Sequence, residues 1–290
     1  LNMIESEDGK AALGGGGSGI RKFRAYLRLA TKYREMNKEM VRRQEKVIEA
    51  EQPDRIIHNG KVMYPVIWGM RPGNHNILVS PVPYLHYAKG HSHLAFHSDF
   101  GPFLNKLTFS LARFGLTKTV QTSAKWLGGS SEVSTAGIRE ALKTGKTAYT
   151  ISPSLFSRPA AWPRHIQVLG YHERNKTVNW QPSRELEQFL SRYDKILLIT
   201  FGSMTNPAPE EKTRILLDIL TRHRIPALIN TAAGGLVSPA APTADHLFFV
   251  DQIPYDWVLP KIHAIIHHGG SGTTHMGLKH GCATMIIPHI

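Results

Sequence analysis

The sequence predicts an α/β protein built on doubly wound parallel sheets. Three observations carry that expectation. Short runs at 54–58, 76–80, 195–200, 227–230, 246–250 and 263–266 read as strands, those at 195–200 and 263–266 as buried ones. Stretches with helical spacing of apolar residues lie between many of them. Glycine and proline turns fall at the strand exits, the edge where open α/β sheets bind ligands.

Composition fits this class. The chain has 290 residues, enough for two domains of ordinary size, with 41% hydrophobic and 20% charged residues. A single cysteine, Cys282, excludes an internal disulfide and points to a reducing, cytoplasmic setting. Between Gly281 and Ala283 it reads as a core thiol, not a nucleophile. No apolar run approaches the ~20 residues of a membrane span. Leu1-Asn2-Met3 leads into Glu5, Glu7 and Asp8, not into a signal peptide, and does not look like a natural start. The last residues, Met285 to Ile290, stop in or just after a strand. The expectation is a piece cut at both ends, with each sheet incomplete.

The net charge of +13, from 35 basic and 22 acidic residues, attracts anions: nucleic acid, an anionic membrane face or a phosphorylated substrate. Residues 21–46 are dense in Lys and Arg, but Glu35, Glu39, Glu45 and Glu49 interleave at helical spacing. That pattern reads first as a solvated, ion-paired helix face. Peripheral contact with an anionic membrane is the second reading.

In order, 1–13 reads as a short helix and 14–19 as a glycine-rich loop. Residues 20–50 form a long amphipathic helix that Pro53 ends. A helix over 62–70 requires Pro65 in its first turn. It lies between two strands, which makes a βαβ unit. Residues 80–99 show no period and carry His86, His91, His93 and His97. Their loose spacing favours a loop lining a ligand cleft over a metal site. Residues 102–126 read as one or two helices interrupted near Gly115. A helix over 131–142, a strand over 148–151, a proline-punctuated passage and a strand over 165–169 follow. Residues 175–183 form a linker between an N-terminal domain, 1–174, and a C-terminal domain, 184–290. In the latter, Pro207-Ala208-Pro209 opens a helix through His223, residues 255–259 make a helical turn, 273–280 a helix and 285–287 a strand.

The chemistry concentrates at Ile265-Ile266-His267-His268-Gly269-Gly270-Ser271-Gly272-Thr273-Thr274. A strand exit, a turn with little bulk and a helix start form an anion site, because unpaired amides and the helix dipole both favour negative charge. Gly202-Ser203, after the strand at 195–200, can face the same ligand. Amides of Gly270 and Gly272 can bond phosphate oxygens, Ser203 and Thr273 can offer hydroxyls, and His268 can donate from its ring. His267 reads equally well as a satisfied residue at a strand end. Neither a Walker lysine loop nor a Gly-x-Gly-x-x-Gly fingerprint occurs, which argues against an NTPase and a standard dinucleotide enzyme.

Phe249 to Pro288 resembles the donor-binding signature of the UDP-glycosyltransferase superfamily, in its antibiotic-type and sterol glucosyltransferase-like branches. The resemblance rests on Val250-Asp251-Gln252-Ile253-Pro254 through Pro260, on His267 to Thr274, on Gly277 to Gly281 and on Ile286-Ile287-Pro288. Ile199-Thr200-Phe201-Gly202-Ser203-Met204 resembles the strand and turn that meet the diphosphate, and the glycine tract also looks native to such enzymes. The resemblance implies a GT-B architecture, two Rossmann-like domains facing across a cleft. It places the donor diphosphate on Ser203, His268, Gly270, Ser271, Gly272 and Thr273, with Gly202, His267, Gly269 and Thr274 as secondary candidates. The nucleotide base would lie at Gln252, Ile253 and Pro254. An aromatic residue is absent at Gln252, so both UDP- and dTDP-sugars fit.

The family's catalytic base is expected before Leu1, and its sugar-gripping acidic–Gln pair after Ile290, so no catalytic residue is named. The implied activity is metal-independent, inverting hexosyl transfer to a hydroxyl of a lipid, sterol-like or natural-product acceptor. No cofactor beyond the nucleotide sugar and no nucleic acid is expected. A non-catalytic basic module that binds nucleic acid or anionic membrane is the alternative.

Overall fold

The structure, a computed structural model, describes residues 33–96, 98–128, 133–173, 177–202, 208–232, 234–240 and 244–288. The expected helix at 1–13, the glycine tract and the start of the long basic helix lie outside these residues, as do His97 and Ser203. The described chain divides into two compact units, one ending at His172 and the other beginning at Glu173.

The first unit opens with helix α1 (Arg34–Glu51), which buries only Val41. Its charges pair along its own surface, Arg43 with Glu39 at 2.9 Å and Lys38 with Glu35 at 3.7 Å. This is the solvated face the interleaved glutamates predict. Strand β1 (Arg55–His58), helix α2 (Tyr64–Trp68) and strand β2 (His75–Ser80) make the expected βαβ unit, and β1 and β2 are parallel. Pro65 sits in the first turn of α2, where its missing N–H costs no intrahelical bond. All five residues of α2 are buried.

Helix α3 (Pro102–Trp126) is one continuous helix, not two. Gly115 lies inside it facing open space, with the Thr119 Oγ1 hydroxyl donating to its carbonyl at 3.0 Å. A mid-helix glycine costs about 1 kcal/mol. Burial of Phe109, Val120 and Ala124 offsets that cost. Helix α4 runs Thr135–Thr144, later than expected, because the Ser134 side chain caps it by accepting from the Gly137 amide at 3.0 Å. Strand β3 (Lys146–Tyr149) starts two residues before the predicted run, directly after the Gly145 cap. With β4 (Ile166–Val168) it completes a parallel sheet in the order β1-β2-β3-β4. Tyr64, Trp68, Val120, Ala124 and Ile138 form the core on the helix side.

The second unit begins with helix α5 (Arg184–Arg192), capped by Ser183. Strand β5 (Leu197–Thr200), helix α6 (Pro209–Arg222), strands β6 (Ala227–Asn230) and β7 (Leu247–Val250), and helix α7 (Tyr255–Val258) follow. Strand β8 (Ala264–His267), helix α8 (Ser271–Lys279) and strand β9 (Ala283–Ile286) end the unit. The sheet is wholly parallel in the order β7-β6-β5-β8-β9. Strand β5 has β6 on one side and β8 on the other, so the chain reverses direction across the sheet between β5 and β8. That is the topological switch point where doubly wound sheets bind ligands. Ile199, Phe201, Leu220, Ile229 and Leu247 fill one side of the sheet.

Candidate nucleotide-sugar site at the β5–β8 switch point

Strands β5 and β8 run in register, with Thr200 opposite His267. Their exits therefore emerge side by side. Gly202 follows β5 with φ of +60°, and Gly269 follows β8 with φ of +90°. Both values favour glycine.

The ring of His268 lies between the two turns. A Cβ on Gly202 would stand 2.9 Å from His268 Cε1, and one on Gly270 would stand 2.5 Å from Nε2. Both distances are inside van der Waals contact. The sequence reading assigns the bareness of Gly270 to close approach of a ligand. The structure gives it a nearer purpose, making room for the imidazole.

Helix α8 begins at Ser271, two residues earlier than the sequence implies. Gly270 caps it in an extended conformation, φ −59° and ψ 136°, and no side chain caps it. Ser271, Gly272 and Thr273 are thus its first turn, not the loop before it. Their amides are the class of N–H groups a helix leaves without intrahelical partners. The Thr274 hydroxyl donates to the Gly270 carbonyl at 3.0 Å, and Thr273 is buried.

His267 ends β8 and is fully buried. Its Nδ1 accepts the Gly269 amide at 3.0 Å, which holds the turn. A neutral ring that accepts at Nδ1 carries its proton on Nε2, and that atom has no partner among the described residues. Burial lowers the His267 pKa and so favours the neutral ring.

Two residues to which sequence reasoning gave no role of their own tie this edge together. Thr200, fully buried, accepts the Gly202 amide on Oγ1 at 3.2 Å and shares a 2.9 Å hydrogen bond with Tyr255 Oη. Tyr255 opens α7, immediately after Gln252, Ile253 and Pro254. That loop follows β7, the far edge strand, and the Tyr255 bond carries it back toward the exit of β5. Gln252 is exposed, while Ile253 and Pro254 are buried. The sequence signal was their place in the two resemblance blocks, Thr200 next to the Gly202 turn and Tyr255 next to Gln252, Ile253 and Pro254.

Of the sequence-predicted residues, the structure brings together Gly202, His268, Gly269, Gly270 and the first turn of α8. The histidines of 80–99 behave differently. His86 bonds Tyr149 Oη at 2.7 Å through Nδ1, and His93 stacks edge-on against Phe109. Among the described residues no three His, Cys, Asp or Glu side chains gather as a metal site. Cys282 is a buried core thiol whose pKa burial raises.

No protein-family model matches the chain. Among solved structures, the glycotransferase of kitacinnamycin superposes with a TM-score of 0.60 at 12% identity, over 100% of this chain and 66% of that one. CalG4, the calicheamicin glycosyltransferase, superposes with a TM-score of 0.58 at 18% identity, over 91% and 64%. At such identities the likeness speaks for the fold alone, and it is the fold of the GT-B glycosyltransferases.

Sequence narrows the kinship. The chain is 38% identical over 140 residues to the sterol 3-beta-glucosyltransferase UGT80A2 of Arabidopsis thaliana, covering 48% of itself and 22% of that protein. A sterol 3-beta-glucosyltransferase of Vanderwaltozyma polyspora is 33% identical over 153 residues, 48% and 12% of the two chains. The chain is thus a homologue of sterol 3-beta-glucosyltransferases and spans less than a quarter of their length. None of these relatives supports the alternative of a nucleic-acid or membrane-binding module without activity.

Proposed function

We propose that the protein transfers a hexose from a UDP-sugar to the hydroxyl of a sterol-like lipid. The observation that carries this reading is the His268 ring seated between Gly202 and Gly270, ahead of the uncapped start of α8. That arrangement sets an imidazole beside the row of amides at a helix start. It suits a diphosphate leaving group, whose growing negative charge fixed donors stabilise without a metal. In the reaction the acceptor hydroxyl, deprotonated by a general base, attacks the anomeric carbon. The C1–O bond to the diphosphate breaks, and the configuration inverts. Gln252, Ile253 and Pro254 would hold the base. The apolar acceptor places the enzyme against the cytoplasmic side of a membrane as a peripheral protein.

Calorimetric titration of the chain with UDP and dTDP tests the donor site. UDP should bind, and His268→Ala should weaken it at least tenfold, about 1.4 kcal/mol. Ser203→Ala, at a position outside the described residues, should weaken it less. Absence of binding by either nucleotide would overturn the reading, and preferential binding of dTDP would reassign the donor. Transfer of glucose from UDP-glucose to a sterol by the complete enzyme tests the acceptor.

A further inference from the structure

Helix α3 carries a second surface that its fold does not use. One face packs Phe109, Val120 and Ala124 into the unit. Another leaves Phe103, Leu104, Leu107, Leu111 and Phe114 in water, with Phe103 81% exposed and Leu111 55%, and the exposed Phe100 stands just ahead of the helix. At about 100° per residue, these five helical side chains fall within an arc of roughly 100°. They form a continuous stripe about 17 Å long at ~1.5 Å per residue. Single exposed apolar residues mean little, but a contiguous stripe marks an interaction surface.

Charge identifies what it meets. The helix contains Lys106, Arg113, Lys118 and Lys125 and no acidic residue. On the helical wheel Lys106 and Arg113 lie about 60° and 80° from Phe103, on the side toward the packed face, with Lys106 exposed and Arg113 half-buried. Lys118 stands on the arc of the stripe itself, its Nζ 5.6 Å over the Phe114 ring. Helix α1 is the contrast: its bases are interleaved with glutamates, and Arg43 and Lys38 pair within it. A second copy of the chain docked on the same face would bring these cations against one another with no acid in the helix to pair them. An apolar face accompanied by cations that make no ion pair among the described residues fits the boundary between acyl chains and anionic headgroups.

We propose that α3 lies in the surface of an anionic lipid bilayer, with Phe103, Leu107 and Leu111 in the acyl boundary and Lys106 and Arg113 at the headgroups. This deepens the peripheral-membrane part of the proposed function and rests on it for biological sense. The evidence for it is separate from the donor site.

The test is co-sedimentation of the 290-residue chain with vesicles of phosphatidylcholine alone or of an equal mixture of phosphatidylcholine and phosphatidylserine. The chain should bind the mixed vesicles and lose that binding as salt is raised. Phe103→Ser with Leu107→Ser, and separately Lys106→Glu with Arg113→Glu, should each reduce binding at least tenfold. UDP titration of the same variants should be unchanged, since every substituted side chain lies outside the donor site. A failure of UDP binding in the parent protein counts against the donor reading and leaves the vesicle result standing. The membrane assignment falls if the parent chain stays in the supernatant. It also falls if phosphatidylcholine alone binds equally, or if neither double variant matters. Analytical ultracentrifugation gives the remaining check: a dimer that Phe103→Ser with Leu107→Ser dissolves, without vesicle binding, would assign the face to a second copy.

Discussion

The two units share an architecture and differ in what their sheet edges carry. Both are wholly parallel sheets among the described residues, with helices in some of their crossovers. In the first unit the described strands follow in plain order, β1-β2-β3-β4, and no switch point lies among them. In the second the order reverses at β5 and β8, and the glycine turns sit at that place. The first unit fills the corresponding edge with side chains: His86, Tyr149 and Trp162 pack ring against ring. The second lines its edge with glycine turns, the His267 and His268 rings and the Thr200–Tyr255 hydroxyl pair. A sheet of the same kind becomes a packed core where bulky rings close its edge, and stays open, as the proposed anion site requires, where glycines line it.

The largest expected effect breaks the comparison from the side of the packed edge. His86 is buried, and its pKa is lowered to about 4, chiefly by burial and then by the charges of Arg113 and His165. In the unfolded chain the same ring titrates near its ordinary value of about 6.5. As pH falls below 6.5 the unfolded state takes up the proton first, so stability declines until the folded ring also protonates near pH 4. One such histidine contributes at most about 1.4 kcal/mol per pH unit across that window. Urea unfolding followed from pH 7 to about pH 4 should therefore show a shallower acid loss in His86→Gln than in the parent protein. Equal slopes would mean that the ring is solvated and the first unit's edge is not closed.

This contrast also explains what the sequence disclosed. The second unit was legible because the proposed anion site, made of amides, needs fixed spacing. His267 to Thr274 can be read as a string, since on that proposal each residue's backbone, not its neighbour in space, would do the binding. Doubly wound sheets, the strands on both sides of the switch point and the helix after it followed from apolar runs and glycines alone. The start of α8 did not, because an uncapped glycine N-cap leaves no side-chain signal. The structure also adds a second reason for the bareness of Gly270, whose missing Cβ makes space for the His268 ring. Thr200 with Tyr255 and the exposed face of α3 were illegible for another reason. The first is a contact between residues 55 positions apart, and the second depends on which face of an apolar helix the fold covers. Periodicity reports that faces exist, not which of them is left in water.

A smaller effect sharpens the account of the open edge. Gly270→Ala keeps an allowed backbone conformation, since φ there is −59°. The added Cβ meets His268 Nε2 at 2.5 Å, so the ring must leave its seat. UDP affinity should fall about tenfold, the equivalent of 1.4 kcal/mol, with thermal stability changed little. Unaltered affinity would show that His268 need not stand between the two turns, and the imidazole would lose its assigned part in holding the diphosphate.

The smallest effect tests whether the edge acts as a unit. Tyr255→Phe removes only the hydroxyl that Thr200 shares at 2.9 Å, leaving the ring in place. A neutral hydrogen bond of this kind is worth about 0.5–1.5 kcal/mol. Thr200 is fully buried, but its Oγ1 still engages the Gly202 amide at 3.2 Å, which limits the loss. The tyrosine links the loop carrying Gln252, Ile253 and Pro254 to the exit of β5, so its removal should loosen the base-binding loop more than the diphosphate cradle. Titration with UDP and with inorganic pyrophosphate separates the two. UDP affinity should drop a few-fold, in proportion to about 1 kcal/mol, while pyrophosphate affinity holds. If both fall together, Thr200 positions the Gly202 turn chiefly through Tyr255, and the loop and the cradle are one element.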